Sequence, residues 1–376
     1  MKRIISFILF FSLLFSVCSV NTSALSVSAK AGVVICGDTG EIIYSKNADT
    51  RLPMASTTKI MTGLILCEKA DLSKEITVTA EMLRVEGSSM GLLAGDRVTF
   101  HDLLYGLMLC SGNDAANVIA FSLSGTVDAF VKQMNEKAKA LGLKNTNFVT
   151  PSGLDGAEHY TTAYDLALLT REALKNEDFA KCVATKSATL CFGNPPYKRT
   201  VTNHNKLLGS VDGVIGVKTG FTKKSGRCLV TAARKDEKYV IAVTLNAPND
   251  WQDHKQMLNY GLERLSVVEI KPDNKYCKIP VIGGESEYIC EKTETYTISA
   301  LDKDGFSAEV IAPRFLYAPI KKGDKIATVL YKSGDRVINQ AEITAKTDIK
   351  AVKYKQKFGE IIAINIKEIF LKIWEI

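Results

Sequence analysis

The chain has 376 residues, 46% of them hydrophobic and 24% charged, with a formal net charge of +7. That balance excludes a disordered or fibrous chain, and the length accommodates two domains with separate cores. The charge is mildly basic and no concentrated basic patch stands out, which argues against nucleic acid as a partner and suits an anionic wall or membrane surface.

Residues 1–29 read as a secretory signal peptide: Lys2 and Arg3 precede an apolar run from Ile4 to Val17, and small residues place cleavage after Ala24 or Ala29. The run is short for a membrane span. Cys18 follows Val17, a poor residue before a lipidated cysteine, so no lipid is expected there. The nine cysteines are scattered without a Cys-x-x-Cys spacing, so no zinc site is expected. An exported chain could oxidise Cys182 with Cys191 or Cys277 with Cys290; small buried thiols are the alternative.

Gly32 to Cys36 and Glu41 to Ser45, joined by Asp38-Thr39-Gly40, predict a β-hairpin. A helix is expected from about Pro53 to Lys69. Residues 101–141 read as helical with breaks at Ser111-Gly112 and Ser124-Gly125, and Tyr160 to Leu174 has helical periodicity. Val214 to Thr222, Arg227 to Ala233 and Tyr239 to Leu245 predict an antiparallel meander, closed by a helix over Asp250 to Leu265. Residues 30–265 thus form one domain in which a helical block is enclosed between β segments. From about Ser266, short alternating runs split by Asp-Gly, Lys-Gly and Ser-Gly turns predict a small all-β domain over 268–350.

In the tail, 358–376, Phe358, Ile362, Ile366, Ile369, Phe370, Ile373 and Trp374 share one helical face, while Glu360, Lys367, Glu368, Lys372 and Glu375 share the other. Ile361, Ile364 and Leu371 break the pattern. The segment is too charged to span a bilayer and is expected to lie in the membrane interface.

Three short motifs carry chemistry. Ser56-Thr57-Thr58-Lys59 is the chain's single Ser-x-x-Lys. The spacing puts Ser56 and Lys59 one helical turn apart on one face, at a helix start where free N–H groups stabilise an oxyanion. A neutral lysine can take the serine proton, and burial beside a second cation would lower its pKa. Ser111-Gly112-Asn113 lies between two predicted helices, where a hydroxyl and an amide can relay a proton and hold a peptide amide. Lys218-Thr219-Gly220 sits late in a strand: Gly220 permits close approach of a substrate backbone, and Lys218 offers a cation to a carboxylate. Two further Lys-Ser-Gly triplets, at Lys224 and Lys332, fall in predicted hairpin turns and read as turn chemistry.

The order Ser-x-x-Lys, Ser-x-Asn, Lys-Thr-Gly resembles the serine penicillin-binding protein and β-lactamase superfamily. Pro53 to Thr62 (PMASTTKIMT), Leu103 to Ala116 (LLYGLMLCSGNDAA), Asn147 to Gly153 (NFVTPSG), Thr161 to Asp165 (TTAYD) and Gly213 to Val230 (GVIGVKTGFTKKSGRCLV) resemble the low-molecular-mass D-alanyl-D-alanine carboxypeptidases. The resemblance covers roughly residues 30–350, and the amphipathic tail matches the family's membrane anchor.

It implies an α/β (α+β) fold of β-lactamase/transpeptidase type, an antiparallel sheet with helices and a helical subdomain, followed by the small all-β domain. It also implies hydrolysis of the terminal D-alanyl-D-alanine bond of peptidoglycan stem peptides at the outer face of the cytoplasmic membrane. No cofactor is implied, and β-lactams would be covalent inhibitors. Ser56 would be the nucleophile, Lys59 its base and Ser111 a proton carrier. Asn113 would shape the cleft. Lys218, Thr219, Gly220 and Thr222 would bind substrate, and the backbone N–H groups of Ser56 and Phe221 would form the oxyanion hole. Phe221 stands where some members have histidine, and no further basic residue for the carboxylate is evident.

The histidines at 101, 159, 204 and 254 lack metal-ligand spacing and read as surface or packing residues, and Asp155 and Glu158 as solvated loop carboxylates. A β-lactamase is the alternative enzyme, but Glu172 to Asn176 has the wrong spacing for the deacylating Glu-x-x-Leu-Asn pattern. A silent wall-binding protein is the other alternative, at odds with an intact Ser56, Lys59 and Lys218.

Overall fold

The run Ala31–Cys36 is buried along its whole length, which marks a strand covered on both faces. In the computed structural model, which describes residues 25–352, it is β1 of a five-stranded antiparallel sheet. Most of the expected leader, 1–29, and the whole tail, 358–376, lie outside the described residues. The elements run β1, β2 (Ile42–Lys46), a 3₁₀ turn (Ala55–Thr58), α1 (Lys59–Lys69), β3 (Glu75–Thr77), β4 (Arg97–Thr99), α2 (Phe100–Met108), α3 (Asn113–Ser124) and α4 (Val127–Ala140). Then come α5 (Ala163–Ala173), α6 (Glu177–Ala184), β5 (Ser187–Gly193), β6 (Pro196–Thr202), β7 (Val214–Thr222), β8 (Gly226–Lys235), β9 (Lys238–Leu245) and α7 (Asp250–Arg264).

The sheet order is β2-β1-β9-β8-β7. Its two faces feed two cores. Val33, Ile35, Ile241 and Val243 belong to one, which extends into the helices. Val34, Cys36, Val240 and Ala242 belong to the other, with Met257 and Leu258 of α7. Val27 and Ala29 are buried in that second core, and Ser28 Oγ donates to Asp253 at 2.7 Å. The helical starts are fixed by side-chain caps: Thr99, Thr126, Thr162 and Asn176 accept from Asp102, Ala129, Asp165 and Phe179 backbone N–H groups.

The hairpin, the meander and the helices fall where the sequence pattern puts them, with one difference around Ser56. No helix begins at Pro53. Ala55 takes a left-handed conformation at φ 48°, so the backbone turns sharply before Ser56 and regular helix begins only at Lys59. A second sheet, β3-β4-β5-β6, is absent from the sequence reading.

The chain divides into two compact units, one up to Val267 with Ser299–Leu301, the other Val268–Ile298 with the residues from Asp302. The strands after α7 are β10 (Ser266–Ile270), β11 (Tyr276–Ile282), β12 (Tyr288–Lys292), β13 (Tyr296–Ala300), β14 (Phe306–Ile311), β15 (Leu316–Tyr317), β16 (Lys325–Ser333) and β17 (Arg336–Thr344). They form an all-β arrangement that includes the sheets β12-β11-β15 and β14-β16-β17. Period-two burial in β11 and β12 turns Ile279, Val281 and Ile289 into a core of this second unit.

The eight described cysteines are free thiols. Cys182 and Cys277 are buried while Cys191 and Cys290 are exposed, so neither conceivable pair is bonded.

His254 is fully buried on α7. Its Nδ1 lies 2.7 Å from Thr231 Oγ1 and its Nε2 2.9 Å from Thr244 Oγ1, so it ties the helix to β8 and β9. Burial lowers its pKa to about 3. The folded state therefore refuses a proton that the unfolded chain accepts below about pH 6.5. Stability should fall with acidification from about pH 6.5 towards 3, this residue contributing about 1.4 kcal/mol per pH unit. Denaturant unfolding of His254→Gln should show lower stability at pH 7 and a shallower acid dependence than the parent; an unchanged acid slope would refute the assignment.

Candidate active site

The 3₁₀ turn is held from within. Thr57 Oγ1 donates to Met54 O at 2.6 Å, and Thr58 Oγ1 to Ala55 O at 2.8 Å. Ala55, Thr57 and Thr58 are buried, leaving Ser56 half-exposed. Gly153, at φ +90°, lies against this turn; a Cβ there would stand 2.0 Å from Ala55 O. Only glycine fits that approach.

Lys59, fully buried at the start of α1, has three neighbours. Its Nζ donates to Asn113 Oδ1 at 2.7 Å and to Ser152 O at 2.6 Å, and lies 3.0 Å from Ser56 Oγ. Burial, and then the charge of Lys218, push its pKa well below the ordinary lysine value. A neutral amine has two hydrogens and one lone pair. The amide and carbonyl oxygens are acceptors only and take both hydrogens, so the lone pair is left for the Ser56 hydroxyl.

Those acceptors are themselves braced. Asn113 Nδ2 donates to Glu86 O at 2.6 Å. Asp114 accepts from the backbone N–H groups of Met90, Gly91 and Leu92 and from Ser89 Oγ, fastening the 86–92 loop to the start of α3. Thr62 Oγ1 donates to Pro151 O at 2.6 Å, docking the segment that carries Ser152 on α1.

His159 completes the frame. Val149 N–H donates to its Nδ1 at 3.0 Å, so the proton sits on Nε2 and is donated to Thr58 Oγ1 at 2.8 Å. Burial lowers its pKa to about 4, which keeps the ring neutral at pH 7. The residue read as packing from sequence thus steadies the turn that presents Ser56.

β7 is the edge strand beside this turn. A Cβ on Gly220 would lie 3.1 Å from Ser56 N. The glycine therefore lets strand and turn meet, in addition to lining the cleft. Lys218 is buried, donates to Thr219 O at 3.0 Å, and has its pKa lowered by burial to about 8. A cleft of about 310 Å³ opens between these elements, lined among others by Ser56, Ser88, Ser111, Thr219, Gly220 and Phe221.

Asn113 and Lys218 are buried and do not line the open cleft, and neither does Thr222. Thr222 sits at the β7–β8 turn, where its Oγ1 donates to Asp155 Oδ1 at 3.0 Å and lies 2.9 Å from Ser225 Oγ. Ser111 adopts φ 62°, a left-handed kink that breaks the chain between α2 and α3.

Five cleft residues were not singled out as site residues from sequence: Ser88, His204, Arg227, Asp250 and Trp251. Arg227 pairs with Phe221 across β7 and β8, donates from Nε to Asp250 Oδ1 at 2.9 Å, and lies 5.6 Å from the Trp251 ring. It is a partly exposed cation opposite the Lys-Thr-Gly strand. Among the described residues no group of three or more His, Cys, Asp or Glu is arranged to hold a metal.

Comparison with known proteins agrees with this architecture. The family profile described as D-alanyl-D-alanine carboxypeptidase matches residues 18–249, and that of the penicillin-binding protein 5 C-terminal domain matches 268–351. The chain is 35% identical to D-alanyl-D-alanine carboxypeptidase DacF of Bacillus subtilis, covering 88% of each. It is 30% identical to DacC of Escherichia coli, over 93% of this chain and 91% of that one. Among solved structures, the Streptomyces K15 DD-transpeptidase superposes with a TM-score of 0.61 at 35% identity, over 63% of this chain and 98% of that one. DacD from Francisella tularensis gives 0.63 at 26% identity, over 89% and 97%. With a serine and a buried lysine at hydrogen-bond distance, a Lys-Thr-Gly edge strand beside them and these matches over both units, the chain belongs to the D-alanyl-D-alanine carboxypeptidase family of serine hydrolases.

Proposed function

We propose that the protein removes the terminal D-alanine from peptidoglycan stem peptides through an acyl-Ser56 intermediate, and that β-lactams acylate the same serine. The observation that carries this reading is the buried Lys59 Nζ, 3.0 Å from Ser56 Oγ, with acceptor oxygens of Asn113 and Ser152 on its other sides and its pKa lowered by burial. Lys59 takes the hydroxyl proton as Oγ attacks the carbonyl carbon of the penultimate D-alanine. The backbone N–H groups of Ser56 and Phe221 receive the developing oxyanion. The proton taken by Lys59 passes through the Ser111 hydroxyl, which gives its own proton to the leaving amine as it receives the one from Lys59; D-alanine departs, and the amine of Lys59, neutral again, activates the water that hydrolyses the ester. Asn113, buried behind the cleft, acts by holding Lys59.

The substrate carboxylate is received by Thr219, with Lys218 supplying positive potential from below. Arg227 adds the second cation that sequence reading did not place. Thr222 acts on this subsite through the β7–β8 turn. A β-lactamase reading has no support in the position of Glu172, which pairs with Lys175 at 2.7 Å on the surface.

Residues 30–265 act as the catalytic domain and 268–350 as the accessory β domain. The leader directs export. Its cleavage falls after Ala24, since cleavage after Ala29 would remove Val27 and the Ser28–Asp253 bond from the mature core. The amphipathic tail, 358–376, holds the enzyme at the outer face of the cytoplasmic membrane.

Ser56→Ala should abolish both D-alanine release from a D-alanyl-D-alanine pentapeptide and covalent labelling by fluorescent penicillin. Persistent labelling would mean that another serine is acylated. Lys59→Ala should slow acylation by peptide and penicillin alike, by about 10²–10⁴-fold.

The two lysines also set a pH profile. Activity should rise as Lys59 loses its proton. kcat/KM should fall as pH climbs through about 8, where Lys218 loses the charge that recognises carboxylate. Lys218→Arg should abolish that alkaline limb; a variant that keeps it would remove Lys218 from this role.

A further inference from the structure

The sheet β12-β11-β15 buries one face and exposes the other. On β11 the outward positions are Tyr276, Lys278, Pro280 and Ile282; on β12 they are Tyr288, Cys290 and Lys292. Register joins the rows: Tyr276 pairs with Lys292, Pro280 with Tyr288, and Ile282 with Tyr317 of β15. Phe315 stands edge-on to Tyr317, with ring centroids 5.4 Å apart. Tyr317 is 68% exposed, Tyr276 51%, Ile282 46%, Tyr288 45% and Phe315 44%, so these large apolar groups have no cover within their own unit.

The cations lie among the rings. Lys278 Nζ stands 4.1 Å from the Tyr288 centroid and Lys275 Nζ 5.7 Å from that of Tyr276. None of the outward strand positions carries a carboxylate or an amide; the exposed carboxylates nearby, Glu285 and Glu287, lie in the turn between β11 and β12. A face that grips sugar hydroxyls needs such groups beside its rings. A face of tyrosines, an isoleucine, a phenylalanine and lysines has instead the composition of a membrane interface, with rings at headgroup depth and cations on lipid phosphates.

The exit of the chain points the same way. Val352 N donates to Gly283 O at 2.8 Å, and Ala351 bridges to Gly284, so the last described residue lies beside the end of β11, next to Ile282. From there the sequence continues into the Ile-, Phe- and Trp-rich segment 358–376.

We propose that this face is a lipid-docking surface, which rests on an anionic phospholipid bilayer and gives the second unit its own contact with the membrane. The proposal rests on the extracytoplasmic reading given above; the composition of the face carries it, and the exit of the chain adds support only together with the tail reading.

The test uses the full mature chain and vesicles of phosphatidylglycerol with phosphatidylethanolamine. Replacing Tyr288, Phe315 and Tyr317 together by serine should weaken partition by about tenfold or more. Lys278→Gln with Lys292→Gln should weaken it by a similar factor on these vesicles and have no effect on neutral phosphatidylcholine, since each lysine near an anionic leaflet is worth about fivefold. Penicillin labelling and the thermal midpoint should be unchanged in both. Each set is made also in a chain carrying Phe370→Glu and Trp374→Glu. Face variants that bind like their parents in both backgrounds overturn the proposal. Loss of retention on insoluble peptidoglycan with vesicle binding intact also overturns it, by making a wall polymer the occupant. A tail change without effect overturns the anchor reading alone and leaves the face standing.

Discussion

A buried amine flanked by two oxygens that can only accept has one direction left for its lone pair. Lys59 is in that position. Asn113 Oδ1 and Ser152 O fix its hydrogens, and Ser56 Oγ lies 3.0 Å away on the remaining side. Burial makes the charged form costly, and the neighbouring cation of Lys218 raises that cost. The same burial that would be a liability for an ordinary lysine shifts this one towards the neutral form that the proposed role as base requires.

Much of the first unit exists to keep those acceptors still. The oxygens on Lys59 come from the start of α3 and from the 147–153 segment, far apart in sequence. Each is anchored in turn: Asn113 and Asp114 hold the 86–92 loop, while Thr62 and Asn135 hold the 147–153 segment, Asn135 through Phe148 N at 2.9 Å. The serine side is held by a left-handed Ala55, by the Thr58–His159 pair and by two glycines that let neighbouring backbone come close. Backbone strain at Ala55 persists because its surroundings over-determine it. The edge strand β7 then brings Thr219 and Gly220 to the serine.

Elements with a strong period were legible in the sequence. The β1–β2 hairpin, the β7–β9 meander and the helices from α2 to α5 each carry enough local pattern to show their type. The β3-β4-β5-β6 sheet was not legible, because β3 and β4 have three residues each and β4 meets β5 through one pair, Arg97 with Gly193. Alanine at 55 gives no sign of a left-handed turn. Ser56, Lys59 and Asn113 could be proposed because their motifs have fixed short spacings, and the fold puts them in contact. Asp114, His159, His204 and Arg227 could not be placed, since each gains its surroundings only when distant segments meet. Asp114 alone left a local sign, an acidic residue in the first turn of a helix beside a Ser-x-Asn motif.

The neutrality of Lys59 is tested most directly by titrating its side chain, following the ε-carbon resonance of isotopically labelled lysine against pH and assigning it by comparison with Lys59→Arg. The account predicts that Lys59 loses its proton well below the surface lysines, and that its midpoint rises when Lys218 is replaced by methionine. A Lys59 that titrates together with the surface lysines would contradict the account, because the amine would then be an ammonium at working pH and could not take the serine proton.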